Sequence, residues 1–583
     1  MDIDIEAIPI DDAAVYDLYS RGDTKSIFQF ESNGMKEWLM RLHPERFEDL
    51  IAMNALYRPG PMDYIPDFVA RKTDPSKIAY DLPDMQDDLQ ETYGVTVYQE
   101  QVMRLSQRLA GFTKGQADHL RKAMGKKKKE ELDKLKVSFM DGGKEKGHPD
   151  AMLEKIWKDW EAFAKYAFNK SHATCYAWVS YQTAYLKAHY PSEFQASNLT
   201  QNQSNMDEMK EIMADCRKGG IKVTNPDVNE SEAQFSVNKA GVIRFGLGGI
   251  KGFGGNIVEA IIKERESGGA FADPFDFMER MSGVVNRKAL ESLIYAGALD
   301  SFGYSRSQYF IPGKSGDLFI DELVHYSELY RNDQVDAATS LFGEVEEMKP
   351  VRPEFPEAPK EEDRLALLQQ EKELVGMYIS SHPLDKYSFE LQTYTSVKLA
   401  GLQEAIDECQ TAKKGRKVTF AGIITDTKDL LTKSNRKGKR ITLEDDSGVY
   451  EIALFGKDYE QFIGFLNLHE AVFIEAEIKE QRYREGQFGL NITGVNFLGN
   501  LNESRIASLT ININTKLINP DFRHKLVKLF KKYKGDIPLK VNCFDERTGY
   551  LLRMHSKTIN VNVCEPFIDE VQRLGMTYEA ELK

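Results

Sequence analysis

The sequence predicts a multidomain protein, with mainly helical domains first, then an OB-type β barrel, then a small α+β domain. Three observations predict this order. The chain has 583 residues, too many for one hydrophobic core. Apolar residues recur at helical spacing through the earlier part of the chain, and from Lys417 onward the period becomes the alternation of strands. A Pro- and Glu-rich stretch, KPVRPEFPEAPKEED, lies between the two regimes and reads as a linker.

Composition narrows the class. With 41% hydrophobic and 29% charged residues, the chain is an ordinary soluble globular protein. No apolar run reaches the roughly 18 residues of a membrane span, and no signal peptide opens the chain, so a cytoplasmic location without membrane contact is expected. The 5 cysteines are scattered, with no CxxC and no His/Cys pairing at metal spacing, so a reduced protein without a structural metal is expected.

Residues 1–235 form the first expected domain. Helices are predicted over 11–20, 32–42, 99–110, 115–124, 130–139 and 152–166. The most informative segment is YAFNKSHATCYAWVSYQTAYLKAHYP, residues 166–191. It reads as a core helix over 172–190, apolar nearly all round and stopped by Pro191. Asn169, Lys170, Ser171 and His172 stand at its start. A lysine is unfavourable beside the positive end of a helix unless an anion is present. Free N–H groups together with cations make an anion site, which suggests phosphate. In DHLRKAMGKKKKEEL, Gly125 is expected to cap the helix ending at Met124, so that Arg121, Lys122 and Lys126 cluster at that end. Cations at a helix C-terminus are also what a plain solvated face would carry.

Residues 236–345 form the second domain. In IKGFGGNIVEAIIKERE, Gly252-Phe253-Gly254 stands before an amphipathic helix, the pattern of a helix-hairpin-helix. Lys251, Gly252, Phe253 and Gly254 are the expected contacts to a DNA phosphate. A plain αα-hairpin is the alternative. LESLIYAGALDSF, residues 290–302, suggests a second hairpin. ATSLFGE follows, and its Leu341-Phe342 pair would suit the apolar pocket of a partner.

Residues 346–410 hold the linker and a bracing helix over 365–378. Residues 411–500 show five strands, with a turn at Asp446-Ser447-Gly448 and a helix over 458–466 between the third and fourth strands, which fits an OB barrel. Its first loop, KSNRKGKR, supplies Lys433, Arg436, Lys437 and Arg440, and Tyr450, Phe455 and Phe488 supply faces for stacking on single-stranded nucleic acid. A purely protein-binding OB module is the alternative. Residues 501–583 read as the α+β domain.

The net charge of −14 argues against a simple basic nucleic-acid binder, but the positive charge is bunched at residues 121–129, 413–417, 433–440 and 523–534. No catalytic centre stands out. Asp2-Ile3-Asp4 has the spacing of paired carboxylates but lies at the start of the chain without a fixing element. Asp445-Asp446 lies in a turn.

GDTKSIFQFES, MNALYRPGP, TYGVTVYQEQVM, LRKAMGKKK, the FNKSH segment and GMYISSHPLDKY together resemble one family, the alpha subunits of bacterial DNA polymerase III, from the fingers onward. The resemblance implies fingers over 1–235, a clamp-binding helix-hairpin-helix domain over 236–345, an OB domain, and a C-terminal domain that meets a clamp loader. It implies a parent enzyme that copies DNA with Mg2+, whose catalytic carboxylates lie in a palm outside this chain. The chain alone is therefore expected to be inactive and to bind no metal through its own ligands. Arg121, Lys122, Lys126, Asn169, Lys170, Ser171 and His172 would grip the triphosphate of the incoming dNTP. Many relatives have arginine where Lys122 stands, and lysine lacks the bidentate fork. Arg58 of RPGP would either face DNA or brace a loop. Leu341 and Phe342 would bind the sliding clamp (beta), with Ala338 where glutamine is expected. The implied partners are primer-template DNA, single-stranded DNA, dNTP, the sliding clamp, the clamp-loader subunit tau and, through the part outside this chain, a proofreading exonuclease. The alternative is a stand-alone DNA- and clamp-binding scaffold.

Overall fold

The computed structural model describes residues 3–125, 128–163, 168–339, 350–359, 362–431, 437–481 and 484–583. Two compact units emerge, Met1–Val223 with Phe235–Arg244, and Thr224–Gln234 with Phe245–Lys583.

The first unit is helical: α1 (Ala13–Ser20), α2 (Asn33–Leu42), α3 (Phe47–Leu56), α4 (Ile65–Thr73), α5 (Gln99–Ala110), α6 (Lys114–Gly125), α7 (Lys129–Glu145), α8 (Asp150–Phe163), α9 (Lys170–His189), α10 (Pro191–Gln201) and α11 (Met206–Lys218). Side-chain caps explain several starts. Asp12 accepts the N–H groups of Ala14 and Val15, and Ser32 that of Met35. Two cores form. One gathers α1–α4 with one stripe of α9, and the other gathers α5–α8 around Phe139, Trp157 and Trp160. In the second core α7 crosses α5 at backbone distance, because a Cβ on Gly142 would stand 2.1 Å from the Ala110 carbonyl oxygen.

α9 corrects the expectation of an all-round core helix. It buries only the stripe Ala173, Ala177, Ser180, Tyr181, Ala184 and Lys187, while Cys175 is exposed and Val179 is 42% exposed. Small alanines let the helix lie close to α3 and α1, and the aromatic residues between them are only partly covered. Ser180 Oγ bonds Tyr19 Oη at 2.6 Å, and Tyr181 Oη accepts the Asp12 N–H at 3.0 Å. Lys187 is buried, with Nζ 2.8 Å from Asp215 and 3.1 Å from the Lys25 carbonyl oxygen. As expected, α9 stops ahead of Pro191: it ends at His189, Tyr190 is not helical, and Pro191 itself opens α10, where its missing N–H has no partner to lose. Gly125 is the last residue of α6 and is not left-handed, so the expected αL cap is absent.

The second unit begins with α12 (Gly255–Gly268), α13 (Pro274–Arg280), α14 (Arg287–Ala296) and α15 (Phe319–Thr339). The expected second hairpin over 290–302 is instead the end of α14, its left-handed cap Gly297 and a 3-10 turn, Asp300–Phe302. The expected linker is a strap over 350–359. Phe355 stacks on Tyr304 at 3.6 Å and lies tilted against Phe319 at 4.2 Å, and Arg352 pairs with Asp273 and Glu279. α16 (Arg364–Val375), α17 (Ser388–Tyr394) and α18 (Leu402–Ala412) follow.

A five-stranded antiparallel sheet comes next, with strands β1 (Arg416–Leu431), β2 (Lys437–Glu444), β3 (Val449–Phe455), β4 (Ala471–Gln481) and β5 (Arg484–Phe497) in the order β3-β2-β1-β4-β5. α19 (Gly456–Phe462) lies between the third and fourth strands. No pairing joins β3 to β5 among the described residues, so the sheet is not a closed barrel there. Its core includes Phe420, Ile441, Leu454 and Ile474.

The last sheet contains β6 (Ile506–Asn514), β7 (Lys534–Phe544), β8 (Leu551–Val561) and β9 (Thr577–Leu582), with α20 (Leu501–Arg505), α21 (Pro520–Lys532) and α22 (Glu565–Arg573). The order is β8-β7-β6-β9, with β6 and β7 parallel and the outer pairs antiparallel. α21 makes the crossover that a parallel pair needs. Its core continues into α17 and the five-stranded sheet through Phe389, Tyr394, Ile423 and Phe473.

Candidate functional site

The start of α9 is stitched to the start of α5. The Gln99 N–H donates to the Phe168 carbonyl oxygen at 2.8 Å, and Tyr98 bridges to Phe168. Asn169 caps α9, its Oδ1 accepting the His172 N–H at 2.9 Å. The donors expected to meet a phosphate hold carboxylates. Asn169 Nδ2 donates to Glu100 Oε1 at 2.8 Å, and the Lys170 N–H donates to Glu100 Oε2 at 2.9 Å. Lys170 Nζ lies 2.6 and 2.7 Å from the two oxygens of Glu91. An internal carboxylate thus sits where the helix dipole favours an anion. Ser171 and His172 are exposed, and the His172 ring lies 4.5 Å from Tyr176.

Arg58 joins the same cluster. Its guanidinium lies 3.3 Å from the Phe168 ring centroid, and Nη2 donates to the Ala55 carbonyl oxygen at 3.0 Å. Its Nε is buried without a hydrogen-bond partner, and burial lowers its pKa. In this arrangement the arginine braces the loop before α9.

The other basic motif sits on the other core of this unit. Arg121 Nε and Nη2 donate to Asp118 Oδ1 at 3.0 and 2.8 Å, and Lys122 Nζ lies 2.7 Å from Asp118 Oδ2. Hydrogen bonds from Lys122 and Arg121 hold the Asp118 carboxyl below its usual range. Lys126 lies outside the described residues. α5 links the two motifs. Glu100 at its start holds Asn169 and Lys170, while Leu105 and Leu109 pack in the core of α6–α8.

Sequence reasoning missed Glu100 and Glu91, although both lie in or beside the quoted TYGVTVYQEQVM segment. Their charge pairs with groups far away in sequence, and no spacing rule reports that.

In the second unit, Gly252 is left-handed at φ +75°, and the turn 251–254 leads directly into α12. A single 3-10 turn, Leu247–Gly249, precedes it rather than an α-helix. Phe253 is buried and anchors the turn, and the Lys251 N–H donates to the Leu374 carbonyl oxygen at 2.9 Å. A Cβ on Gly252 or Gly254 would meet nothing within 4 Å, so this backbone faces open space. On the five-stranded sheet Lys437 is exposed, Arg440 lies 3.6 Å from Glu451, and Phe455 is 40% exposed. Tyr450 and Phe488 are half-buried against the core. Lys433, Arg436, Leu341 and Phe342 lie outside the described residues.

Among the described residues, no group of three or more His, Cys, Asp or Glu could hold a metal ion. Asp4 caps a short 3-10 turn and Asp2 lies outside the described residues. Asp445 Oδ1 accepts from Ser447 and Gly448, while Asp446 pairs with Lys398. These residues therefore fit no Mg2+ site. No described helix is long and apolar enough to cross a membrane.

Residues 1–147 match the finger domain of the bacterial DNA polymerase III alpha subunit, residues 220–309 a helix-hairpin-helix motif, and residues 509–579 the C-terminal domain of the DNA polymerase III alpha subunit. The DNA polymerase III subunit alpha of Borreliella burgdorferi is 38% identical over 88% of this chain and 44% of its own length. That of Haemophilus influenzae is 36% identical over 98% of this chain and 49% of its own length. That of Thermus aquaticus is 38% identical over 82% of this chain and 38% of its own length. The chain thus spans about half or less of the length of these curated relatives.

Proposed function

This chain belongs to the bacterial DNA polymerase III alpha subunit family, and on that premise we propose that it grips the nucleotide and the DNA during template-directed DNA synthesis by a parent DNA-directed DNA polymerase. The observation that carries the reading is the start of α9. There Asn169 and the Lys170 N–H already hold a carboxylate, and the Lys170 ammonium holds another. The triphosphate of an incoming dNTP would take these donors from Glu100 and Glu91. It offers more charge and more acceptor oxygens to the same groups. Arg121 and Lys122 would approach the far end of the triphosphate once freed from Asp118, with Lys126, Ser171 and His172 beside them.

The remaining surfaces have distinct roles in this reading. The open turn at Gly252 and Gly254 would take a duplex phosphate through backbone N–H groups, with Lys251 adding charge. The strand order, with α19 between the third and fourth strands, supports an OB-like sheet that stacks single-stranded template on Phe455, with Lys437 and Arg440 along the backbone. Leu341 and Phe342 would engage the sliding clamp, and the C-terminal domain the clamp loader. The chemistry itself, with its Mg2+, belongs to carboxylates elsewhere in the parent enzyme, so the chain by itself should not extend a primer.

The test is binding of a dNTP to the purified chain by calorimetry. Lys170→Met should weaken binding about tenfold or more, the loss of one charge-assisted contact of about 1.5–3 kcal/mol. An unchanged affinity would remove the site. Glu100→Gln should tighten binding, because the competing charge is gone.

A further inference from the structure

We propose that Glu390 is a proton-operated latch between α17 and the C-terminal α+β domain. The protonated carboxyl holds the domain docked, and the ionised carboxylate loosens it.

The geometry brings three elements to one buried point. Glu390 stands on α17 and is 4% exposed. Its Oε1 accepts from Asn502 Nδ2, on α20, at 2.5 Å, and the same nitrogen donates to the Val563 carbonyl oxygen at 2.9 Å. Val563 lies just before α22, so a single amide ties α17, α20 and the approach to α22 together. The surroundings are apolar, with Phe389, Leu501 and Phe567 in the same core.

Two acceptors at this point lack donors. Glu390 Oε2 and Asn502 Oδ1 are both buried without a hydrogen-bond partner. A proton on the carboxyl turns Oε2 from an unpaired acceptor into an O–H donor and removes the charge that an ionised carboxylate would leave in the core.

The charged neighbours offer no compensation. Glu565 of α22 accepts the Ser388 hydroxyl at 2.8 Å and adds negative charge. Arg505, at the end of α20, pairs with Glu475 at 2.7 Å and lies against the Phe473 and Tyr394 rings rather than on Glu390. Tyr394 and the Cys564 thiol are themselves raised by burial. Burial pushes Glu390 up to about 7, opposed by its own backbone N–H and by the Asn502 hydrogen bond, with Glu565 adding to the rise.

The direction follows by linkage. A carboxyl raised in the docked state favours docking at low pH and loses that advantage as pH rises from the ordinary carboxylate range to about 7. Between pH 6 and pH 8 the opening equilibrium should therefore rise about tenfold. The test is hydrogen exchange of the whole chain at pH 6 and pH 8, read as protection factors in β6 and α22. The wild type should lose about tenfold in protection, and Glu390→Gln should lose little. An equal loss in both proteins, or none in the wild type, would overturn the proposal. If Glu390→Gln does not fold, carboxyl infrared titration of the wild type decides: a buried carboxyl titrating near neutrality supports the latch, and ordinary titration of every carboxyl ends it.

Discussion

Glu371 and Arg306 form an ion pair of 2.7 Å in which the carboxylate is wholly buried and the guanidinium nearly so. Glu371 also accepts the N–H groups of Ile379 and Ser380 at 2.7 and 2.9 Å, and the Ser380 hydroxyl. Arg306 donates to the Tyr295 carbonyl oxygen at 3.1 Å and pairs with Asp300. The pair thus joins α14, the turn that follows it, α16 and the GMYISSHPLDKY segment.

Breaking this pair from one side leaves the other charge buried. Glu371→Gln should cost about 3 kcal/mol or more and lower the urea midpoint of the second unit, with the first unit unaffected. A midpoint within error of the wild type would show that the guanidinium finds Asp300 sufficient.

Gly142 sets the distance between α5 and α7. Gly142→Ala puts a Cβ 2.1 Å from the backbone oxygen of Ala110, so the helices must separate, at about 1–3 kcal/mol. Thermal unfolding should record the loss. Since α5 also carries Glu100, dNTP affinity should change in the same variant, and an unchanged affinity would uncouple the two ends of the helix.

His382 should make the second unit acid-sensitive. Its Nδ1 accepts the Leu384 N–H at 3.1 Å, and burial lowers its pKa despite the opposing charges of Glu444, Asp385, Asp446 and Asp445. A depressed imidazole means that the unfolded chain binds the proton first. Stability is therefore full above the ordinary histidine range and falls as pH drops below it. Glu390 works in the opposite sense in the same window, so Glu390→Gln is the background in which to measure urea midpoints from pH 7 down to pH 5. A flat line there would dismiss the histidine.

Binding of a single-stranded oligonucleotide should fall linearly with the logarithm of salt. Lys437→Ala should reduce the slope by about one phosphate contact. Phe455→Ala should cost about 1–3 kcal/mol for the lost stacking while leaving the slope unchanged. A salt-independent affinity would turn the sheet into a protein-binding surface.

Much of this fold was legible in the sequence where periodicity was clean. Gln99–Ala110 matches the expected helix end for end, because its apolar stripe is flanked by polar residues and closed by the left-handed Gly111. The five strands lie where the strand pattern put them, although β1 buries Phe420 to Ile424 in an unbroken run. Legibility failed where a pattern had two meanings. Aromatic residues filling the gaps of α9 looked like complete burial, but they coat a half-exposed helix. α3 went unread because it is buried on nearly every side and so shows no amphipathic period. Proline and glutamate around Phe355 looked like linker, but Phe355 and Arg352 fix the strap through ring contacts and ion pairs. At the candidate site the cations were readable from type and position. The carboxylates that hold them were not, because tertiary pairing leaves no local signature.

The order β8-β7-β6-β9 also sets a timetable for synthesis. β6 is made first of the four, yet its two neighbours come later, and its pairing of Asn512 with Thr577 must wait for the last strand. Until then the nascent segment holds Leu509, Ile511 and Ile513 on a strand with an open edge. On a ribosome this is the stretch most exposed to wrong partners, so slowing translation between β6 and β9 should raise aggregation before it lowers the yield of the helical first unit.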